Sequence, residues 1–207
     1  MNMPKRYLHV PFHDKDAAKR LGAHWDDAAK LCYAPERVDL KLFTRWQPEE
    51  NGPNMRADYY FIAATTRICW HCQKISKIHG FILAPGLKHL HIAHDPQDDE
   101  WETYHAPSLI SYVTDLATSV SARMAEQSKH YRITYSDTTQ SFYWMNRCEH
   151  CGSNFDDYTT FCELGQGFGP LTPEQAALIK LTQIDEPFAA HVGTHSIGIE
   201  LFEYMQR

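Results

Sequence analysis

The chain has 207 residues, a formal net charge of -6 and 43% hydrophobic residues, with 13% aromatic. That is enough apolar material for one core or two small ones, which excludes a disordered tail. Mean hydropathy is -0.50, and no apolar run approaches the roughly 20 residues of a membrane span. Met1 to Arg6 carries no apolar signal region, so the reading is a cytoplasmic protein with no membrane partner.

Charge is uneven. Residues 1–48 hold 9 Lys/Arg and 6 Asp/Glu, a balance of +3, whereas residues 49–207 hold 11 and 20, a balance of -9. Phosphate affinity comes mainly from Lys and Arg, so only the N-terminal stretch suits a nucleic acid.

In chain order, Tyr7–Val10 reads as a strand stopped by Pro11. Asp14–Leu21 reads as a short helix, with His13 or Asp14 as N-cap and Gly22 past its end. Leu31–Tyr33 gives a second strand, and Asp39 caps a helix with Leu40, Phe43 and Trp46 on one face. Such short helices need packing, here from Leu21, Trp25, Tyr33, Phe43 and Trp46. Gln47–Asn54, with two prolines and a glycine, is a linker. The domains are therefore 1–48, a small βαβα-like module, and 55–207, a larger β-rich zinc-ribbon-like domain of α+β class.

Beyond the linker, strands are expected at Tyr59–Ala64, Ile78–Leu83 and Leu87–Ile92, then an acidic loop at Asp95–Glu102. Ser108–His130 has apolar residues at spacings of three and four, which predicts a long helix inserted between the halves of the cysteine site. Strands follow at Tyr131–Tyr135, Ser141–Arg147 and Tyr158–Leu164. Thr172–Leu181 reads as a helix with Thr172 as N-cap and Pro173 first, and Ser196–Tyr204 as a closing strand.

The chemistry concentrates in Cys69-Trp70-His71-Cys72 and Cys148-Glu149-His150-Cys151. Each C-x-x-C turn points two thiolates at one cation, and two turns supply the four sulfurs of a tetrahedral zinc site. Gly152 suits the left-handed residue such turns need. The favoured reading is one structural Zn2+ held by Cys69, Cys72, Cys148 and Cys151, against two half-sites or a pair of redox thiols. His71 and His150 flank the site rather than ligate it. A closed four-cysteine site leaves no position for water, which argues structure over catalysis. Cys32 and Cys162 read as small buried hydrophobes.

Lys15, Lys19, Arg20 and Lys30 form the one basic cluster beside aromatics and are the candidate nucleic-acid contacts, with Trp25 and Tyr33 available to stack a base. Asp14, Asp16, Asp26 and Asp27 blunt its field, and the competing reading is a solvated helix face. His89, His91 and His94 approach the histidine string of metallo-β-lactamase-like hydrolases, with Ala93 where that string needs a carboxylate. The simpler reading there is a strand with Leu90 and Ile92 inward. Gly165–Pro170 lacks the lysine and the following helix of a phosphate loop.

Tyr7–Phe12, Lys15–Lys19, Leu21–Asp26, Lys30, Tyr33–Pro35, Phe43 and Trp46 closely resemble a small bacterial domain of unknown function numbered 5710. That family commonly shows arginine where His24 stands and tryptophan where Cys32 stands. The resemblance implies a role near DNA, since the module recurs in plasmid-borne primases. The two cysteine turns, with Phe142–Gly152, Glu186–Phe188 and Phe202–Met205, are similar to a bacterial family of uncharacterised zinc-ribbon proteins. That similarity implies a ribbon and adds no activity. The overall expectation is a non-enzymatic zinc-binding protein associated with nucleic acid. The alternatives are a protein-interaction adaptor whose acidic domain meets a partner, and, third, a metal-dependent hydrolase at His89, His91 and His94.

Overall fold

The computed structural model describes residues 5–48, 52–92 and 99–207. The chain divides into two compact units, one holding residues up to Glu50 with Tyr135–Phe142, the other Asn51–Thr134 with Tyr143–Arg207.

In the first unit, β1 (Arg6–Leu8), α1 (Lys15–Arg20), β2 (His24–Asp26) and β3 (Leu31–Ala34) precede a 3-10 segment at Leu40–Trp46. The strands form an antiparallel sheet in the order β1-β3-β2. β2 is a strand beyond the two that the sequence reading expects. Asp26 ties it down, accepting from Lys5 Nζ, Tyr7 Oη at 2.8 Å, and the amides of Ala28 and Ala29. Asp39 caps the 3-10 segment by accepting from the Lys41 amide. Leu8, Val10, Ala18, Ala23, Cys32, Ala34, Phe43 and Trp46 form the core. Three expected core residues lie outside it: Leu21, Trp25 and the half-buried Tyr33. Leu21 and Trp25 are 39% and 38% exposed; the Trp25 ring faces Lys15 Nζ instead.

The second unit contains β4 (Met55–Ala57), β5 (Tyr60–Ile68), β6 (Ile75–Leu83), β7 (Leu87–His91), β8 (Glu100–Tyr104), β9 (Ser108–Leu116), α2 (Thr118–Gln127), β10 (Tyr131–Ser136), β11 (Ser141–Arg147), β12 (Asn154–Phe155), α3 (Pro173–Ala176), β13 (Lys180–Ile184) and β14 (Phe188–His195). β10 and β11 run on into the residues grouped with the first unit. Eight strands form one sheet in the order β13-β5-β6-β9-β14-β4-β7-β8. Alternate residues of its central strands enter two different cores: Tyr60 and Ile62 with Phe81, Ile110 and Phe188, but Phe61 and Ala63 with Ile82, Leu109 and Leu181. The sheet is thus covered on both faces.

Four expected elements are corrected. The long helix at 108–130 is a strand, β9, followed by the ten-residue α2. Ser108–Leu116 pairs with β6 and β14 in the middle of the sheet; a run of β-branched and aromatic residues buried on both faces mimics helical spacing. Of the expected acidic loop at Asp95–Glu102, residues 95–98 lie outside the described residues, and Glu100–Glu102 belong to β8. Tyr158–Cys162 is a π-helix rather than a strand, seated by Phe161 stacked on Phe168. The closing strand runs over Phe188–His195, earlier than expected. Its alanines, histidines and glycine have weak strand propensity, and pairing with β9 and β4 decides instead. Thr172 does cap a helix, but only a single turn, before β13 takes over.

Two buried asparagines complete the ladder where strands cannot. Asn54 accepts from the Val192 amide and donates to its carbonyl, holding the bulge at His191/Val192. Asn146 does the same for His79, tying β11 to β6. Among the described residues no helix is long and apolar enough to cross a membrane.

Candidate metal centre and module surface

The two C-x-x-C segments are the turns of two antiparallel hairpins. Ile68 pairs with Ile75 across the first and Arg147 with Asn154 across the second, so each turn has six residues. Their hydrogen bonds repeat. The Cys69 amide donates to the Lys74 carbonyl at 2.9 Å and the Cys148 amide to the Ser153 carbonyl at 2.8 Å. The amides of Gln73 and Gly152 return to the carbonyls of Cys69 and Cys148, both at 2.9 Å. Sequence reading found the repeat in the cysteines; the structure extends it to the backbone.

All four Sγ atoms lie within 4.8 Å of one another. Cys69–Cys151 and Cys72–Cys148 are each separated by 3.6 Å, near the edge of about 3.8 Å expected for a tetrahedron with metal–sulfur bonds of about 2.3 Å. Among the described residues this is the one group of three or more His, Cys, Asp or Glu close enough to hold a metal ion. Cys69 and Cys148 are buried, Cys72 half-buried and Cys151 exposed.

The thiols also fit a cation electrostatically. The hydroxyl and amide of Ser153 hold Cys151 down at about 5. The Lys74 amide pulls Cys72 the same way, yet burial and the three neighbouring cysteines push it up to about 11. Four sulfurs at this spacing cannot all ionise by themselves, and a divalent cation removes that conflict. Cross-ties hold the hairpins together: Trp70 Nε1 donates to the Asn154 carbonyl at 3.0 Å, and Glu149 accepts from the Lys77 amide at 2.9 Å. His150 Nε2 sits 2.9 Å from the Ile75 carbonyl, so it braces the turn. Cys32 is buried. Cys162, expected to be buried, is exposed, because the π-helix directs Phe161 inward in its place.

In the module, Lys15 Nζ lies 4.1 Å from the ring centroid of Trp25 and 4.8 Å from that of Phe12, which is 79% exposed. Phe12 was missed by sequence reading; its position directly after Pro11, ahead of the first helix, was the available signal. Lys19 and Arg20 are exposed on the same helix. Lys30 instead pairs with Asp27 at 2.9 Å, and Asp27 also accepts from Trp25 Nε1. Asp14 accepts from Trp46 Nε1 at 2.8 Å and faces Arg45. Asp26 and Asp14 are thus engaged by Lys5 and Arg45, outside the basic cluster, whereas Asp27 neutralises Lys30 within it.

His89 and His91 share the sheet face of Leu87, while Leu90 pairs with Trp101 on the other and Ile92 is 70% exposed. The expected inward placing of Leu90 and Ile92 is therefore reversed: Met55, paired with His89, brings that side of β7 to the core. His94 lies outside the described residues. The ring of His89 stands 5.1 Å from His91 and 4.8 Å from His195, a partner far away in sequence. His91 Nε2 is 2.6 Å from Glu102, which also accepts from Tyr104.

Residues 5–48 match the family model described as Domain of unknown function (DUF5710). The same N-terminal region is similar to two Escherichia coli proteins, each called DNA primase TraC. One is 44% identical over 55 residues, 25% of this chain, and the other 47% identical over 47 residues, 22% of this chain. The chain spans about 4% of either relative. No solved structure matches the chain.

Proposed function

We propose that this is a non-enzymatic, zinc-stabilised protein that holds single-stranded nucleic acid through its N-terminal module. The observation that carries the reading is Lys15 seated between the exposed rings of Phe12 and Trp25, with Lys19 and Arg20 beside it. Aromatic faces stack bases of any sequence, and adjacent cations meet the backbone. The similarity to proteins named as DNA primases supports the same direction. Residues 1–48 and 55–207 act as separate folding domains, the first a βαβα-like module.

The second domain is zinc-ribbon-like, built on two facing hairpin turns. Zinc is the metal of choice for four thiolates in a tetrahedron, and with all four positions filled it stabilises the fold and leaves none for substrate. Its thiolates suit a reducing compartment such as the cytoplasm.

The test is a titration of labelled single-stranded DNA, duplex DNA and RNA with zinc-loaded protein at several salt concentrations. Single strands should bind best, with the logarithm of affinity falling by about 2 per logarithm of salt for three phosphate contacts. Trp25→Ala and Lys15→Gln should each weaken binding about tenfold or more. Absence of binding at low salt, or variants that bind like wild type, would refute the reading.

A further inference from the structure

A cavity of about 400 Å³ lies on the second unit, lined among others by Arg56, Asp58, Lys88 and Trp101. Its size is within the range of small-molecule sites. It lies on the sheet face opposite His89 and His91. Arg56 of β4 is directly paired with Lys88 of β7, so both side chains rise from the same face at adjacent positions. Like charges placed directly opposite destabilise a sheet. Neither cation has an ion pair among the described residues, although Asp58 lines the same cavity.

Arg56 is moreover held in place. Its guanidinium lies 4.4 Å from the ring centroid of Trp101, which pairs with Leu90 one strand further out. A guanidinium stacked on an indole keeps its edge donors free and fixed in plane, the geometry that grips an oxyanion through two parallel hydrogen bonds. Two cations side by side match a dianion better than a single carboxylate. Asp58 repels an anion but accepts from hydroxyl groups, so it suits the neutral end of a ligand whose charged end lies at Arg56 and Lys88.

We propose that this cavity is a binding site for a small hydroxylated phosphomonoester, with the phosphate on Arg56 and Lys88 and a sugar hydroxyl on Asp58. The site is independent of both the N-terminal module and the cysteine centre, so its failure would leave the proposed function standing.

The test uses the full zinc-loaded chain and calorimetric titration with AMP, ribose 5-phosphate and ribose. Both phosphates should bind at least tenfold more tightly than ribose; AMP binding beyond ribose 5-phosphate would identify a nucleotide, and equal binding a sugar phosphate. Arg56→Gln with Lys88→Gln should weaken phosphate binding at least tenfold, while Lys129→Gln should leave it unchanged. Thermal melting gives a second readout. Inorganic phosphate should raise the wild-type midpoint relative to chloride of equal ionic strength and leave the double variant unmoved. No phosphate preference, or retained phosphate binding in the double variant, would each overturn the proposal.

Discussion

Gln73 and Gly152 occupy the same place in the two cysteine turns. Each has a positive φ, 58° and 75°, and each donates its amide to the carbonyl of the first cysteine of its turn. Glycine adopts that conformation without cost, whereas glutamine pays about 1 kcal/mol. Gln73 offsets it with a side-chain bond from Nε2 to the Trp70 carbonyl at 2.9 Å. Gly152→Ala should therefore lose about 1 kcal/mol, since an added Cβ meets only the end of Arg147 at 3.4 Å and the cost is conformational. Gln73→Ala should lose a similar amount through the side-chain bond. Denaturant melts of both variants check this, and a Gly152→Ala protein as stable as wild type would refute it.

Metal removal should act on the second unit. Purified protein should carry one zinc per chain, and chelation should lower its melting temperature sharply, because the metal's binding energy is folding energy. Cys148→Ser, with its sulfur buried, should lose the metal and loosen the domain. Mass spectrometry of the metal content beside a melting curve reads both. Full metal content in Cys148→Ser would show that the four sulfurs do not share one ion.

How far the sequence announced these features depends on the range of the contact that makes them. The cysteine turns were legible because the spacing within each pair is local and chemically unusual. β1 was legible from its apolar residues ahead of Pro11, although it spans Arg6–Leu8 and ends two residues before that proline, where its pairing with β3 stops at Leu8 and Cys32. β9 was not, because Leu109, Val113 and Leu116 satisfy helical spacing as well as a strand buried on both faces, and only pairing with β6 and β14 decides between them. The approach of His195 to His89 and the pairing of Arg56 with Lys88 depend on sheet register, which no local pattern contains.

Gly80 illustrates packing of that long-range kind. A Cβ built there would stand 2.5 Å from Cε1 of Phe161 in the π-helix. Phe161 is itself stacked on Phe168 with ring centroids 5.2 Å apart, so it has no free space to retreat into. Gly80→Ala should destabilise the second unit by about 2 kcal/mol through overpacking. Combining it with Phe161→Leu should recover part of the loss, which a double-mutant cycle measures. Strictly additive losses would show that the two side chains do not compete for the same space.

Asp157 sets a pH dependence that runs opposite to the usual carboxylate. It is fully buried, one oxygen accepts from the Tyr112 amide at 2.7 Å, and the other has no partner. Burial pushes its carboxyl up to about 8, despite that amide. The folded protein therefore keeps the proton that the unfolded chain releases near 3.8, so stability falls as pH rises from about 4 to about 8. His79 opposes this lower down. Burial lowers its imidazole to about 4 from 6.5, so it stays neutral in the fold and its contribution is lost as pH falls from 6.5 towards 4. Above 6.5 the histidine no longer titrates, and the Asp157 contribution alone costs about 2 kcal/mol by pH 8, set against the opposite slope of Cys151, whose thiol is held down at about 5. Asp157→Asn, a neutral mimic of the protonated acid that can still accept from Tyr112, should match wild type only near pH 4, be more stable by about 3 kcal/mol at pH 6, and lack the Asp157 decline between pH 6.5 and 8. Denaturant melts across that range decide it; a decline of equal size in Asp157→Asn would place its origin in another group.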